Sequence, residues 1–436
     1  MKIRVFQSDK GDCLLITANA GKNRILVDGG MKSSYVEHVA PNLAKLDGGK
    51  PRIDVAYVSH IDDDHIAGVL QLMNDLVDWR VFDFHSKKKR AGVKAPKKPT
   101  SPRPPEVGKI WHNAFHELIK DNTGEIGDML AASTAILAAA HRPMGRSLFE
   151  HHSELALSKT QALQLARRTS PDQLDIPVNP EFKHKLMLLE PNQPQLKIGT
   201  MRFTVIGPAP ADLKKLRDEW NQWLKENKKT LDEIHRKAKQ DEDRLKSDVD
   251  RLLAPITTEA NSFVDFQIAL AKTLGDRTQV TTPNLASLMF FVKEGNQTIL
   301  LTGDGHATDA LNGLRQRSLL DANGKLHLDV LKVPHHGSEH NMTQAFAEAI
   351  TADNYIFCGN GFSTNPETEV IDVLVKERRK ALPQKPFTLW FNSSSKLTQP
   401  KFKMHMQAVE KNVAGHVRAG GGKVRSKFIS GSFMDL

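Results

Sequence analysis

Histidines and aspartates are concentrated in one short stretch that follows an apolar run. The run is residues 53–58, and the next seven residues contain two imidazoles and three carboxylates, at His60, Asp62, Asp63, Asp64 and His65. A strand that ends in such a loop can turn several ligands toward one point, because loop residues need not keep the strict alternation of a strand. The stretch therefore predicts a metal site at a strand end.

Two later clusters have the same form. Apolar residues 299–301 lead to Asp304, which is flanked by glycines, and the predicted strand at residues 330–333 leads to the pair His335 and His336. Alone, Asp304 would be interpreted as a turn residue, and either histidine as an ordinary core or surface residue. Three clusters of this kind, each at a strand end, favour one composite site.

Together the clusters supply about four imidazoles and three or four carboxylates, enough for two cations that share a bridging group. Such cations activate a water and polarise the oxygens of a phosphoryl or acyl substrate, so hydrolysis is the predicted reaction class. An aspartate at position 62 makes the set richer in oxygen than a typical zinc cage. We therefore expect one or two divalent ions, zinc or manganese.

Composition sets the broad class. The chain has 436 residues, two cysteines and a formal net charge of +10. Its length allows one elaborated domain or two, and its charge favours association with polyanions. No apolar run reaches the roughly 18–20 residues of a membrane helix, and the first residues enter a strand pattern without a signal peptide. We therefore expect a cytoplasmic protein without a membrane partner, in which Cys13 and Cys358 are buried free thiols.

The periodicity of apolar residues predicts the elements around the clusters. An antiparallel opening of three short strands is expected at residues 3–6, 14–17 and 24–27. A helix is expected at 33–46, and another at 66–77 directly after the first cluster. The other predicted strands lie at residues 53–58, 197–208, 286–293, 297–302, 330–333 and 355–358.

Three segments have a different composition. Residues 86–109 are rich in lysine, arginine and proline, which predicts an exposed, mobile loop that either contacts phosphates or is a solvated linker. Residues 110–170 have helical periodicity, and His112 and His116 are spaced to chelate a metal, although ordinary helix-surface residues are the favoured interpretation. Residues 211–253 predict amphipathic helices that pack on the core or on a partner protein.

The order of the clusters resembles the metallo-β-lactamase fold superfamily, whose signature is His-x-His-x-Asp-His after a strand, with later Asp and His ligands. More narrowly, the chain is similar to the group that contains the C-terminal domain of the competence DNA-uptake protein ComEC, in which the second histidine is commonly an aspartate, as at Asp62. Residues 6–16, 25–30, 284–288, 299–305 and 331–338 match further blocks of that group in order.

The resemblance implies an α/β fold, a four-layer αββα sandwich of two mixed sheets with helices outside and a largely helical insertion. We expect residues 1–84 to form the first half of the core and 197–208 to add a core strand. Residues 281–436 would form the second half with a C-terminal extension. The insertions would be the basic loop and helices of 85–196 and the charged helices of 209–280.

The resemblance also implies roles for single residues. Asp64 would orient or deprotonate the attacking water, and His336 would contact substrate oxygens or donate a proton. Substrate contacts are expected from Asn284, Ser287 and Lys332. The implied metal ligands are His60, Asp62, Asp64, His65, Asp304 and His335.

Two departures from the family pattern concern the number of metals and the residue that would act as general acid. The strand that ends at Gly207 and Pro208 lacks a histidine ligand that many members carry, which leaves open one metal or two. Asn365 stands where relatives place a histidine before proline.

The predicted function is a metal-dependent hydrolase, a phosphodiesterase or nuclease acting on DNA, RNA or nucleotides. One alternative is a small-molecule phosphoester or lactone hydrolase of the same fold. Another is a defence or regulatory component that depends on a protein partner bound through residues 211–253.

Overall fold

The computed structural model describes residues 1–46, 51–87, 97–113, 161–162, 164–211, 213–214 and 286–436. Within these ranges, two β-sheets lie face to face. The predicted helices of 211–253 fall almost wholly outside the described residues, as do His116 and Asn284.

The first sheet has six strands. The amino-terminal strands pair antiparallel, while the strands at residues 23–27, 55–57 and 110–111 run parallel. The chain's final strand pairs antiparallel with its first strand, and Arg4 and Asp435 form an ion pair across them. The spatial order is β16 (Phe433–Asp435), β1 (Lys2–Phe6), β2 (Leu14–Ala18), β3 (Asn23–Val27), β5 (Val55–Tyr57) and β7 (Ile110–Trp111).

The second sheet has eight strands. The four strands between residues 196 and 301 pair antiparallel, and the last of these runs parallel to the four strands that follow it. A separate pair is formed by β4 (Arg52–Ile53) and β6 (Glu106–Val107). The order in the large sheet is β15 (Val424–Phe428), β14 (Phe387–Phe391), β13 (Ile350–Phe357), β12 (Leu326–Lys332), β11 (Gln297–Leu301), β10 (Met289–Glu294), β9 (Met201–Gly207) and β8 (Leu196–Ile198).

Helices cover the outer face of each sheet. On the six-stranded sheet, α1 (Lys32–Ser34) continues through a π-helical turn at Tyr35–Val39 into α2 (Ala40–Leu43), and α3 (Asp63–Lys87) follows the first cluster. The helices on the large sheet are α4 (Ala307–Gln316), α5 (Gln344–Ala349), α6 (Thr368–Ala381) and α7 (Lys403–Ala419).

Among the described residues, no helix combines the length and apolarity that crossing a membrane requires.

Alternation along the strands builds three apolar layers. In β2, Leu14 and Ile16 pack between the sheets, where Phe203 and Phe290 face them from the second sheet. Leu15 points the other way, into the layer beneath α1 to α3. A third layer lies between the large sheet and α4 to α7. The fold is thus the four-layer αββα sandwich that was predicted.

The prediction of a helical region from residue 110 is wrong at its start. Ile110 and Trp111 form β7, and the Trp111 ring lies 5.0 Å from that of Phe203 in the core between the sheets. His112 follows the strand, is buried, and its backbone N–H donates to Asn179. An aromatic residue that fills the space between two sheets overrides helical periodicity here.

The basic segment is also less free than predicted in its described part. Arg103 donates to both oxygens of Asp83 on α3, at 2.7 Å each, and the Trp79 indole donates to the carbonyl of Ser101. Residues 97–105 therefore pack along α3. Residues 88–96 lie outside the described part of the chain.

Candidate metal centre

The three clusters meet at one edge of the sandwich. The loop after β5 touches the loops around β10 and β11, since the carbonyl of Ser59 accepts a hydrogen bond from the backbone of Leu288. Gly303 approaches the same serine so closely that a Cβ added to it would lie 2.8 Å from Ser59 Cβ. This glycine has a φ of +49°, which its missing side chain allows. The sheets therefore adjoin where their ligand-bearing strands end.

Four imidazoles point at one carboxylate oxygen. The Nε2 atoms lie 3.1 Å (His336), 3.3 Å (His65), 3.6 Å (His335) and 3.8 Å (His60) from Oδ2 of Asp304. The Nε2 atoms of His65 and His336 are also 3.4 Å from each other. Side chains from both sheets thus converge on a single point.

The opposite ring nitrogens of His65 and His336 are held by carboxylates. Nδ1 of His65 lies 3.0 Å from Oδ2 of Asp28, and Nδ1 of His336 lies 3.1 Å from Oδ1 of Asp12. A carboxylate on the far nitrogen fixes the ring and raises its basicity, as is usual behind histidine ligands of metals. Both rings therefore present Nε2 to the centre.

The other two histidines are held by neutral groups. Nδ1 of His60 lies 3.1 Å from the hydroxyl of Ser59, which itself donates to Asp28 at 2.8 Å. Nδ1 of His335 contacts the side-chain oxygen of Asn341. The amide of Asn341 donates to the carbonyl of Asp304 at 2.8 Å, so it braces His335 and Asp304 together.

Asp62 and Asp64 lie on the more open side of the centre. Asp64 Oδ2 is 3.3 Å from Nε2 of His336, and Asp62 Oδ2 is 3.5 Å from Nε2 of His60. The Asp64 side chain is 15% exposed and that of Asp62 is 27% exposed, against 3% for Asp304. His335, at 24%, lies on this side too. A substrate can therefore approach past these three side chains.

A close backbone contact places the first turn of α3. The amide of Gly29 donates to the carbonyl of His65 at 2.8 Å, and that of Gly68 donates to Gly30 at 3.1 Å. A Cβ at Gly68 would lie 2.0 Å from the carbonyl oxygen of Gly29. Only glycine permits this approach, which brings Asp28 within reach of His65.

The histidine pair has an unusual backbone. His335 (φ 44°), His336 (φ 57°) and Gly337 (φ 95°) are all in the left-handed region. For a residue with a side chain this conformation costs on the order of 1–3 kcal/mol and needs support from its surroundings. The amide of His335 donates to the carbonyl of Gly303 at 3.2 Å. The turn aims the rings of both residues at Asp304.

Lys332 and Ser287, predicted to contact substrate, make internal contacts. Lys332 is fully buried; its ammonium donates to the carbonyl of Gly303 at 2.9 Å, contacts Asp12 and lies 3.5 Å from Asp304 Oδ1. The Ser287 hydroxyl accepts from the backbone of Asp304 at 3.2 Å. The structure does not describe Asn284.

The carboxylates dominate the electrostatics. Burial would lower the pKa of His65, but Asp304, Asp28 and other carboxylates outweigh it and hold that pKa well above its ordinary value. His336 behaves alike, because Asp304 and Asp12 outweigh its burial. Excess negative charge thus draws protons onto these rings in the absence of another cation.

The carboxylates show the converse shifts. Burial would raise the pKa of Asp12, yet Lys332 and His65 lower it to about 2. Burial would likewise raise the pKa of Asp304, but His336 and His65 hold it well below its usual range. These carboxylates therefore stay charged and can serve as metal ligands at neutral pH.

The donor set fits a divalent cation. Ligand atoms of Asp12, His65, Asp304 and His336 all lie within 4.8 Å of one another. Atoms sharing one tetrahedral ion with bonds of about 2.0–2.2 Å are separated by about 3.3–3.6 Å, close to the 3.1 and 3.3 Å measured from Asp304 to His336 and His65. Among the described residues, Nε2 of His60 is buried without a hydrogen-bond partner, as a waiting ligand would be.

Asp12 and Asp28 were not singled out from the sequence as site residues. Each lies beside a glycine at a strand end, in Gly11-Asp12 and in Asp28-Gly29-Gly30. Such turns are common, so only their position at the ligand-bearing edge of the predicted sheet could have pointed to them.

Comparison with known families agrees with this geometry. Residues 9–77 match the family model of the metallo-beta-lactamase superfamily. This segment contains Asp12, Asp28 and the first cluster, and the match supports the metallo-β-lactamase fold. The superfamily typically binds divalent metals, and it suggests a metal-dependent hydrolase. A search of curated proteins found no match to the chain.

Proposed function

We propose that the protein is a metal-dependent phosphodiesterase that acts on nucleic acid or nucleotides. The observation that carries the proposal is the convergence of four imidazole Nε2 atoms on Oδ2 of Asp304, with Asp62 and Asp64 beside them.

His336 is the better candidate than His335 for the metal ligand after β12. Its Nε2 lies within 3.4 Å of ligand atoms of Asp64, His65 and Asp304, and Asp12 holds its other nitrogen. His335 is more exposed, and its nitrogen is farther from Asp304. We therefore assign His336 to the metal and His335 to the substrate side, the reverse of the expectation from sequence.

Two groups of ligands surround the shared carboxylate. His336 contacts both His65 and Asp64, and His60 contacts Asp62. The first group is richer in close contacts. We propose that it would hold the tighter cation, and that His60, Asp62 and Asp304 would hold a second.

The divalent ions, once bound, would supply a water of lowered pKa and polarise the phosphoryl oxygens. The chain's own residues orient the attacking water and contact the substrate. Asp64 combines partial exposure with a lowered pKa: burial would raise it, but His65 and a hydrogen bond to His336 hold it below its usual range. It can orient the attacking water through a charged oxygen. His335, at the open side, can contact the substrate oxygens, but burial lowers the pKa of its imidazole, which disfavours the charged form that would donate a proton.

The charge of the protein supports a phosphodiester substrate. The chain carries a net charge of +10 although its site is rich in carboxylates, so its cationic side chains lie mostly elsewhere. A net positive charge favours association with polyanionic substrates over neutral lactones or amides.

Hydrolysis of bis(p-nitrophenyl) phosphate tests the proposal. Protein stripped with chelator should be inactive and recover on addition of manganese or zinc. Asp304→Asn should lower the rate by about 10²–10⁴-fold, because a metal's charge stabilisation is worth several kcal/mol. The matched control is Asp372→Asn, which changes an exposed carboxylate that is hydrogen-bonded to His416. Metal-restored protein that cleaves lactones and leaves phosphodiesters intact would contradict the proposal.

A further inference from the structure

A row of basic and aromatic side chains leads away from the candidate metal centre. Lys10 Nζ lies 4.3 Å from the centroid of the Phe362 ring, and Phe362 meets Phe402 edge to face at 5.8 Å. Lys401 Nζ lies 4.7 Å from the centroid of the Phe402 ring. We call these four residues the basic-aromatic row.

One end of the row abuts the centre. Gly11 follows Lys10, and its backbone packs so tightly on that of Asp64 that an added Cβ would lie 1.8 Å from the Asp64 carbonyl oxygen. The first cation of the row therefore lies beside the open side of the site.

The middle of the row is tied to the loop that carries the histidine pair. Gly337 packs against Pro366, whose carbonyl lies 3.0 Å from Nε2 of His405 on α7. In the same loop, a Cβ at Gly361 would lie 2.9 Å from Cβ of Phe402. The start of α7 is thereby fixed at the same sheet edge as His336.

The far end of the row is exposed and positively charged. Lys396, Lys401 and Lys403 are all exposed, and Met404 is 82% exposed. Residues 392–409 contain these three lysines and no acidic residue. Phe362 and Phe402 are half-buried, which leaves part of each ring accessible.

We propose that the basic-aromatic row binds a single-stranded polynucleotide, with bases against Phe362 and Phe402 and phosphates at Lys10, Lys401 and Lys403. Alternating cations and aromatic rings are the chemistry that holds single strands, because unpaired bases expose faces for stacking. A duplex offers the phosphates but hides those faces. The inference rests on the proposed function and specifies its substrate class.

Binding of the single strand is measured without metal, so that hydrolysis cannot occur. Fluorescence anisotropy of a labelled oligodeoxythymidine of about 20 nucleotides, in chelator, gives Kd for each protein. The pair Lys401→Ala/Lys403→Ala should weaken binding about tenfold and flatten the salt dependence by about 0.7 per lost phosphate contact. The control pair Arg425→Ala/Lys427→Ala removes the same charge from exposed positions on the edge strand β15 and should change Kd little.

The aromatic half has its own variants. Phe402→Ala should weaken binding of the single strand about tenfold, and Phe402→Leu, which keeps the apolar packing of the loop, should weaken it as well. A duplex of the same length should bind more weakly than the single strand and be indifferent to both substitutions. An oligoribouridine in place of the DNA should show the same dependence on Phe402.

Two results would overturn the inference: equal losses for the two charge pairs, or wild-type affinity in both Phe402 variants. Because the binding assay contains no metal, its outcome is separate from the hydrolysis assay. If the wild-type protein is inactive but binds single strands through the row, the phosphodiesterase proposal is refuted and the proposed binding surface is retained.

Discussion

Asp12 and His336 are 324 residues apart in sequence, yet Oδ1 of Asp12 lies 3.1 Å from Nδ1 of His336. The other carboxylate oxygen of Asp12 contacts the ammonium of Lys332. One buried carboxylate thus joins the first turn of the chain to the strand and loop that carry the histidine pair. The centre is a product of the whole sandwich and not of one motif.

The ion pair of Asp12 and Lys332 should be costly to break. Lys332→Met leaves Asp12 buried without its cation and should lower the free energy of unfolding by about 3–5 kcal/mol. Asp12→Asn/Lys332→Met removes both charges and should cost less than the sum of the single changes. Urea denaturation of the metal-free proteins measures this coupling. Strict additivity would show that the two side chains do not depend on each other.

The two adjacent histidines should differ in metal binding. His336→Gln should lose most of the tightly bound metal, because its Nε2 lies among three other donors. His335→Gln removes a more exposed ring and should retain nearly all of it. Elemental analysis after dialysis against metal-free buffer compares them. A larger loss in His335→Gln would restore the assignment expected from sequence.

The contact between α3 and the loop after β3 should be intolerant of a methyl group. Gly68→Ala places a Cβ 2.0 Å from the carbonyl oxygen of Gly29 and should destabilise the protein by about 1–3 kcal/mol through overpacking. Gly415→Ala on α7 has open space around it and should stabilise by about 0.5–1 kcal/mol. Thermal unfolding of both variants tests the opposite signs. A neutral Gly68→Ala would mean that the helix shifts freely.

Metal affinity should fall in acid. Although burial lowers them, the pKa values of His65 and His336 are held above the ordinary value of about 6.5 by Asp304 and its neighbours. Both rings of the metal-free protein are then protonated at neutral pH, and an incoming ion must displace those protons. Calorimetric titration with zinc in buffers of different ionisation enthalpy should reveal about two protons released per ion. Heats that are independent of the buffer would contradict this.

The same shifts set the stability of the metal-free protein. A raised folded-state pKa contributes stability that is complete below about pH 6.5 and is lost as pH rises through the folded pKa. Metal-free protein should therefore lose this contribution toward alkaline pH. Metal-loaded protein should lose stability in the opposite direction, toward acid, as protons compete for the ligands. Chemical denaturation across pH distinguishes the two.

Much of the architecture was predictable because its signals are local. Alternation along residues 14–17 and 24–27 specified strands with one face in each apolar layer. The ligand clusters could be placed at strand ends, and the carboxyl ends of parallel strands, such as β11 and β12, share one edge of their sheet. The common edge of Asp304 and the histidine pair followed from this, whereas His65 follows a strand of the other sheet.

The remainder depends on contacts that sequence spacing does not encode. Three successive residues in the left-handed region decide which histidine of the pair approaches Asp64. Of these three, only Gly337 is a residue type that indicates a left-handed conformation from sequence. Trp111 was assigned to a helix because its short strand is specified by packing on Phe203. The return of β16 to β1, more than four hundred residues away, gives no local signal at all.

The most direct test of the account is the position of the metal. Crystals of the protein loaded with zinc, measured at the zinc absorption edge, should give an anomalous peak bonded to Nε2 of His65, Nε2 of His336 and a carboxylate oxygen of Asp304. Full occupancy at another site, with these three side chains unliganded, would contradict the account.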